Sequence, residues 1–173
     1  MTRACNNAML RRASRALGQV YDDELAPSGL RATQHGLLAQ IAMMKTPTVR
    51  DLAAELVMDL SALGHTLKPL IRDGFVALVP DKQDRRVKHV KLTKTGRNKL
   101  KETSKFWSQA QRRFEKVFGE KQAAYLRDVL EELSSEAFRK AYWGEVTLVN
   151  FPHQGRPPSS ASKTHHCCKR RSG

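Results

Sequence analysis

The side chains best placed to do chemistry in this 173-residue chain are hydrogen-bond donors and cations, not nucleophiles. Ser61, His65, Thr66 and Lys68 fall between leucines at helical spacing, and Asp84, Arg85, Arg86 and Lys88 follow in a charged cluster. From Asp81 to Lys101, lysine and arginine outnumber acids nine to two. Hydroxyl, imidazole and ammonium donors on one helix can read base edges in the major groove, while neighbouring cations neutralise phosphates and release counterions. Arginine at a hairpin tip suits the narrow minor groove of A·T-rich DNA. Bond-making chemistry has no such foothold, because the chain holds no Gly-rich phosphate loop, no G-x-S-x-G elbow and no H-E-x-x-H. Neither a catalytic residue nor a cofactor is expected. His165, His166, Cys167 and Cys168 are metal-ligand types, but they are contiguous, lack C-x₂-C spacing and have no second ligand pair, so no metal site is expected. Cys5 is the one reactive candidate: Arg3, Arg11 and Arg12 lie near it in sequence, and cations favour the thiolate. The competing reading packs Cys5 at a subunit interface.

Those donors need a helix and those cations a hairpin, and Thr48–Gly96 supplies both. Thr48 with Asp51 approximates a capping box, so a helix starts near Val49, with Leu52, Ala53 and Leu56 on one face. A second helix starts at Asp59 or Ser61 and carries Leu60, Leu63, Leu67, Leu70 and Ile71 to Gly74, which suits a left-handed terminus. Pro69 lies inside it; a proline in a helix interior costs roughly 3 kcal/mol. A kink or loosened turn is expected there. Phe75–Val79, stopped by Pro80, and Val87–Leu92 read as strands around a polar tip, and Thr93 offers the next N-cap. Helix, turn, helix and charged hairpin make a winged helix-turn-helix.

The rest of the chain must carry this unit. A net charge of +14 favours a polyanionic partner. Nothing approaches about 18 consecutive apolar residues, so no membrane span is expected. The N-terminus lacks the apolar core of a signal peptide. Three cysteines, an odd count, give no disulfide framework, and a cytoplasmic protein with reduced thiols is expected. Residues 4–26 read as an amphipathic helix through Met9 or Leu10, Ala13, Leu17, Val20 or Tyr21, and Leu25, ended by Pro27, Ser28 and Gly29. Thr33 is expected to cap a helix with Leu37, Leu38, Ile41 and Ala42, closed by Thr46-Pro47. Leu100, Thr103, Trp107, Ala110, Phe114 and Val117 alternate by three and four, which predicts a long helix to Phe118. Gly119 breaks it, and a further helix through Leu126, Val129 or Leu130, Leu133, Ala137 and Ala141 runs to Gly144.

The terminal helices need a partner. A C2 homodimer would supply one and set the two reading helices one DNA turn, about 34–36 Å, apart; the competing reading is a helical cap on a monomer. The organisation expected is thus mainly α with a small β-hairpin: an N-terminal dimerisation helix in 1–30, the winged unit in 31–96 and C-terminal dimerisation helices in 97–145. Residues 146–173, with five lysines or arginines and no acid, are expected to form a basic, disordered tail.

Three stretches in order carry a family resemblance: LRATQHGLL at 30–38, VRDLAAELVMDLSALGHTLKPLIRDGFV at 49–76 and DKQDRRVKHVKLTKTG at 81–96, the last a wing followed by LTxxG. Over roughly residues 5–143 the chain resembles the multiple-antibiotic-resistance regulator (MarR) family. The resemblance implies that the N- and C-terminal helices form the dimer interface. Asp84 would brace the wing by pairing with an arginine, and Arg86 would enter the minor groove. It further implies a small aromatic or carboxylic effector in a cleft between the dimer helices and the winged unit. Arg15, His35, Trp107 and Gln111 are the candidates, with Trp107 as core and Arg15 as surface the ordinary alternatives. Some members sense oxidants through an N-terminal cysteine, which makes Cys5 a redox candidate. One departure stands out: His65 lies where many members carry arginine. The function implied is a sequence-specific repressor on double-stranded DNA, released from a pseudo-palindromic operator by ligand or oxidant. The competing reading is a sequence-tolerant architectural DNA binder.

Overall fold

The computed structural model describes residues 5–144; the expected tail, with His165 to Cys168, lies outside the described residues. The described residues fall into two units that meet between Leu130 and Glu131 in the sequence. In order the elements are α1 (Asn6–Leu25, extended by a 3₁₀ turn Ala26–Ser28), α2 (Ala32–Met43), α3 (Val49–Glu55), α4 (Leu60–Arg72), β1 (Val76–Pro80), β2 (Lys88–Leu92), α5 (Lys94–Phe118), α6 (Glu120–Ser134) and α7 (Glu136–Tyr142). Helices with one antiparallel hairpin is the class the periodicity predicts.

Aliphatic burial holds the winged unit together. Leu38 and Ile41 from α2, Leu52 from α3, Leu63 and Leu70 from α4 and Val90 from β2 are fully buried in one cluster, each contributing about 1.5–3 kcal/mol. The hairpin pairs Val76 with Leu92 and Pro80 with Lys88, which turns Val76, Val90 and Leu92 into that core. Proline sits at the strand end, where its missing N–H costs no internal ladder bond.

Local chemistry sets the helix ends. Thr48 Oγ1 accepts from the Asp51 N–H at 3.0 Å and Asp51 reciprocates at 3.3 Å, so the capping box forms. Of the two starts open for α4, Asp59 is the cap, accepting from the Ala62 N–H at 2.7 Å. Gly74, at φ +73°, ends α4 with the Gly74 and Phe75 amides donating to the Ile71 and Leu70 carbonyls, a Schellman closure. The same closure ends α3, where the Val57 and Met58 amides donate to Ala54 and Ala53, but its left-handed position is occupied by Val57 at φ +52°. Thr93 caps α5 by accepting from the Gly96 N–H at 2.9 Å, and its hydroxyl donates to the Gly74 carbonyl at 2.7 Å. A Cβ on Gly96 would collide with the Phe75 carbonyl, so the glycine of the LTxxG stretch permits helix and strand to meet.

Several expectations need correction. Thr33 does not cap α2; the cap position is Arg31. The Ala32 amide donates instead to the Asp22 carboxylate of α1 at 2.7 Å, so a residue distant in sequence replaces the local threonine. The helix after Gly119 is two, not one, because Ser135 accepts from the Phe138 N–H at 3.0 Å and starts α7. Such a hydroxyl competes with helix continuation. β1 begins at Val76 and β2 at Lys88, one residue later than expected in each case. α4 runs from Leu60 to Arg72 with Pro69 inside it. Proline lies in its last turn and leaves the His65 carbonyl without its i+4 amide donor, yet the helix continues to Arg72.

Candidate nucleic-acid interface

The outward face of α4 follows from its inward one. Leu63, Leu67 and Leu70 are buried, which leaves Ser61, His65 and Lys68 exposed at i, i+4 and i+7. Nothing lies near Gly64, so the row is unobstructed. Thr66, expected among the donors, is half-buried and donates to its own helix at the Ala62 carbonyl, 3.0 Å away. Three donors therefore face out, not four.

The wing tip is organised by two aspartates. Asp81 accepts from the Gln83 and Asp84 amides at 2.8 and 3.1 Å, and Asp84 accepts from the Arg86 amide at 2.9 Å. This corrects the implied Asp84–arginine pairing: Asp84 bonds the Arg86 backbone, and no carboxylate pairs with Arg85, Arg86 or Lys88 among the described residues. All three side chains are exposed. Bracing through the backbone leaves the guanidinium free for another anion. A cleft of about 500 Å³ separates wing from helices, lined by Thr48, Val49, Arg50, Leu60, Arg86, Val87 and Lys88. Arg50 is a cation the sequence reading left out; its place in the first turn of α3 was the available signal.

His89 was also missed. One ring nitrogen lies 3.0 Å from the Asp81 carboxylate and the other 3.1 Å from the Thr46 carbonyl. Thr48 also bridges to His89, and the Val90 amide donates to Pro47 at 2.8 Å, which fastens the wing to the segment entering α3. With both nitrogens against acceptors the imidazolium is favoured, and its pKa is raised chiefly by the Asp81 bond. The Asp84 and Gln83 amides, then His89, lower the Asp81 carboxyl to about 2.

The expected effector residues are only partly gathered. His35 is buried, its Nδ1 2.8 Å from Thr103 Oγ1, and it stacks on Trp107 at 6.0 Å between ring centroids. Burial lowers the His35 pKa, so the ring is neutral at pH 7. The Thr103 hydroxyl already faces the Lys99 and Leu100 carbonyls, which assigns the proton to His35 Nδ1 and leaves Nε2 an acceptor. Trp107 is 40% exposed, neither core nor free surface. Gln111 is engaged, accepting from the Tyr21 hydroxyl at 2.8 Å and donating to Glu115 at 2.9 Å. Arg15 lies exposed on α1 and makes no hydrogen bond or ion pair with them among the described residues. Cys5 is exposed at the start of α1. Among the described residues no helix is long and apolar enough to cross a membrane.

A helix presenting a row of donors, beside a two-stranded wing with exposed cations, defines the winged helix-turn-helix class. Comparison places it further. The family model described as MarR family matches residues 28–87. The crystal structure of the M. tuberculosis transcriptional regulator MOSR in complex with DNA is 31% identical; the match covers 82% of this chain and 99% of that one, with a TM-score of 0.70. The transcriptional activatory protein BadR of Rhodopseudomonas palustris is 33% identical over 105 residues, 53% of this chain and 60% of BadR. CouR from Rhodococcus jostii, solved bound to p-coumaroyl-CoA, shares the fold at 22% identity and a TM-score of 0.63, over 74% of this chain and 90% of that one. The chain belongs to the MarR family of transcriptional regulators.

Proposed function

We propose that the chain is a homodimeric, sequence-specific DNA-binding repressor in the cytoplasm, acting on a pseudo-palindromic operator and released by a small effector or an oxidant. The observation that carries the DNA-binding part is the exposed row Ser61, His65 and Lys68 beside a wing whose Arg85, Arg86 and Lys88 have no carboxylate partner among the described residues. MOSR, solved with DNA, supports that reading. The dimer is supported by apolar side chains left in solvent on the terminal helices: Met9, Leu10 and Val20 of α1, and Val117 (88% exposed) and Phe118 of α5. A second copy is the economical cover for them. An effector is supported by the stacked His35–Trp107 pair, where an aromatic ring could lie against Trp107 with a hydroxyl donating to His35 Nε2. CouR holds an aromatic acyl thioester, which fits that class. An effector would act by binding the DNA-free state better, since only differential affinity shifts a population. Repression follows if the operator overlaps a promoter; BadR, named an activatory protein, marks the other placement.

Selection of bound fragments from the source genome, followed by footprinting, tests this. Protection of two inverted half-sites about ten base pairs apart is expected; protection without a consensus would favour the sequence-tolerant architectural reading, for which His65 in place of arginine is the motive.

A further inference from the structure

The cations of α5 are sorted by face. Lys94, Arg97, Lys101, Lys105, Arg112 and Lys116 recur at steps of three, four or seven residues, so they stand on one side of the helix, and all six are exposed. Gly96, Thr103 and Ala110 are buried on the other. The two acids of α5 are already engaged elsewhere: Glu102 with Lys99, and Glu115 with Gln111 and Arg127. Arg113 pairs with Glu24 of α1. None of the six has a carboxylate partner among the described residues. Asn98, Ser108 and Gln109 interleave them, so no apolar side chain interrupts the ridge.

At 1.5 Å per residue the ridge is about 33 Å long, close to one turn of B-DNA, which offers a phosphate about every 1.7 Å of axis. Its N-terminal end opens into a cleft of about 350 Å³, where Lys45 and Lys91 join Arg97 and Lys101 over Ala42, Leu92 and Leu100. Arg97 is held there by donating to the Leu92 carbonyl at 2.8 Å. Lys91 belongs to β2, so the positive surface continues from the wing sheet onto α5. A membrane-surface helix needs an apolar face free to insert along its length; opposite the ridge α5 buries Gly96, Thr103 and Ala110 and packs against α1 and α2, and its most exposed apolar residues, Val117 and Phe118, are confined to its last turn. Aligned, exposed cations with no apolar side chain among them fit a phosphodiester backbone.

We propose that this ridge is a second DNA-backbone surface, holding duplex that flanks the site taken by α4 and the wing. It rests on the DNA-binding reading above and adds a length requirement to it. The test compares the full chain with a Lys101→Gln, Lys105→Gln, Arg112→Gln triple variant. Binding is measured against salt on a selected site of about 20 base pairs and on the same site with about 20 more on each side. The expected result is a steeper slope of log K against log salt on the longer duplex for the wild type. The variant should lose that excess, about 0.9 per phosphate contact and so about two to three in all, while binding the short duplex unchanged. Equal wild-type slopes on the two lengths would overturn the proposal, as would a variant that keeps the excess or changes only the oligomeric mass. Random duplexes of both lengths separate the two readings: absence of preference for the selected site defeats sequence-specific recognition, yet the slope difference still reports on the ridge.

Discussion

His89 links two segments by charge, and that link titrates. The contribution of a histidine whose pKa is raised on folding is fully present below its ordinary value of 6.5 and is lost as pH rises through the raised one. Asp81, lowered from 3.8 to about 2, contributes above 3.8 and loses that contribution as pH falls toward 2. The bridge is therefore complete between the two ordinary values and fades above. Asp51 also favours the charged ring, while Lys82 and Lys91 line the same cleft. His89→Gln should flatten the fall in wing-dependent DNA affinity between pH 6 and 9, measured by titration at constant salt; the same fall in the variant would remove His89 from the wing's support. Arg86→Ala should cost about 1–3 kcal/mol of binding where the wing covers A·T steps and less over G·C, and equal affinity on both would exclude a minor-groove role. At this scale the sequence was legible where a side chain acts on its own neighbourhood. Thr48, Gly74 and Thr93 do what their spacing predicts. His89, Asp22 and Tyr21 do not announce themselves, because their partners lie 43, 10 and 90 residues away.

The elements came through because each has a strong period and a strong stop. Their junctions hold the surprises. Val57 closes α3 in the left-handed region, a conformation that costs a non-glycine residue roughly 1–2 kcal/mol, and it does so in the turn that sets α4 against α3. Val57→Gly should recover about 1 kcal/mol in denaturant unfolding; a loss of stability would mean that Val57 contributes through packing instead. Gly96→Ala should destabilise by about 1–3 kcal/mol or more, since the Phe75 carbonyl has no room to retreat without opening the hairpin. A neutral result would show that the approach of α5 to β1 is adjustable. Neither feature is readable from composition: valine is a poor left-handed residue and a helical glycine looks like a weakness until the strand beside it is known. Ser135, by contrast, carried a readable capping signal that the apolar spacing across it obscured.

Taken whole, the protein is a MarR-family winged helix-turn-helix whose flanking helices α1 and α5 leave apolar side chains exposed. Family, hairpin and helix-turn-helix were legible because they are local patterns. The residues proposed for an effector are gathered only in part: His35 and Trp107 meet, while Gln111 is committed to Tyr21 and Arg15 stands apart. Such a gathering depends on how helices cross, and with a second subunit it depends on both chains. Dimerisation should appear in sedimentation as twice the 19.5 kDa chain mass, and Val117→Lys with Phe118→Lys should shift it toward monomer while leaving the winged core folded. The central claim, sequence-specific recognition by α4 and the wing, is tested most directly by titrating the full chain against its selected site and a scrambled duplex at one fixed salt concentration. An affinity ratio of about 10³ or more is the result predicted; a ratio near one would contradict it.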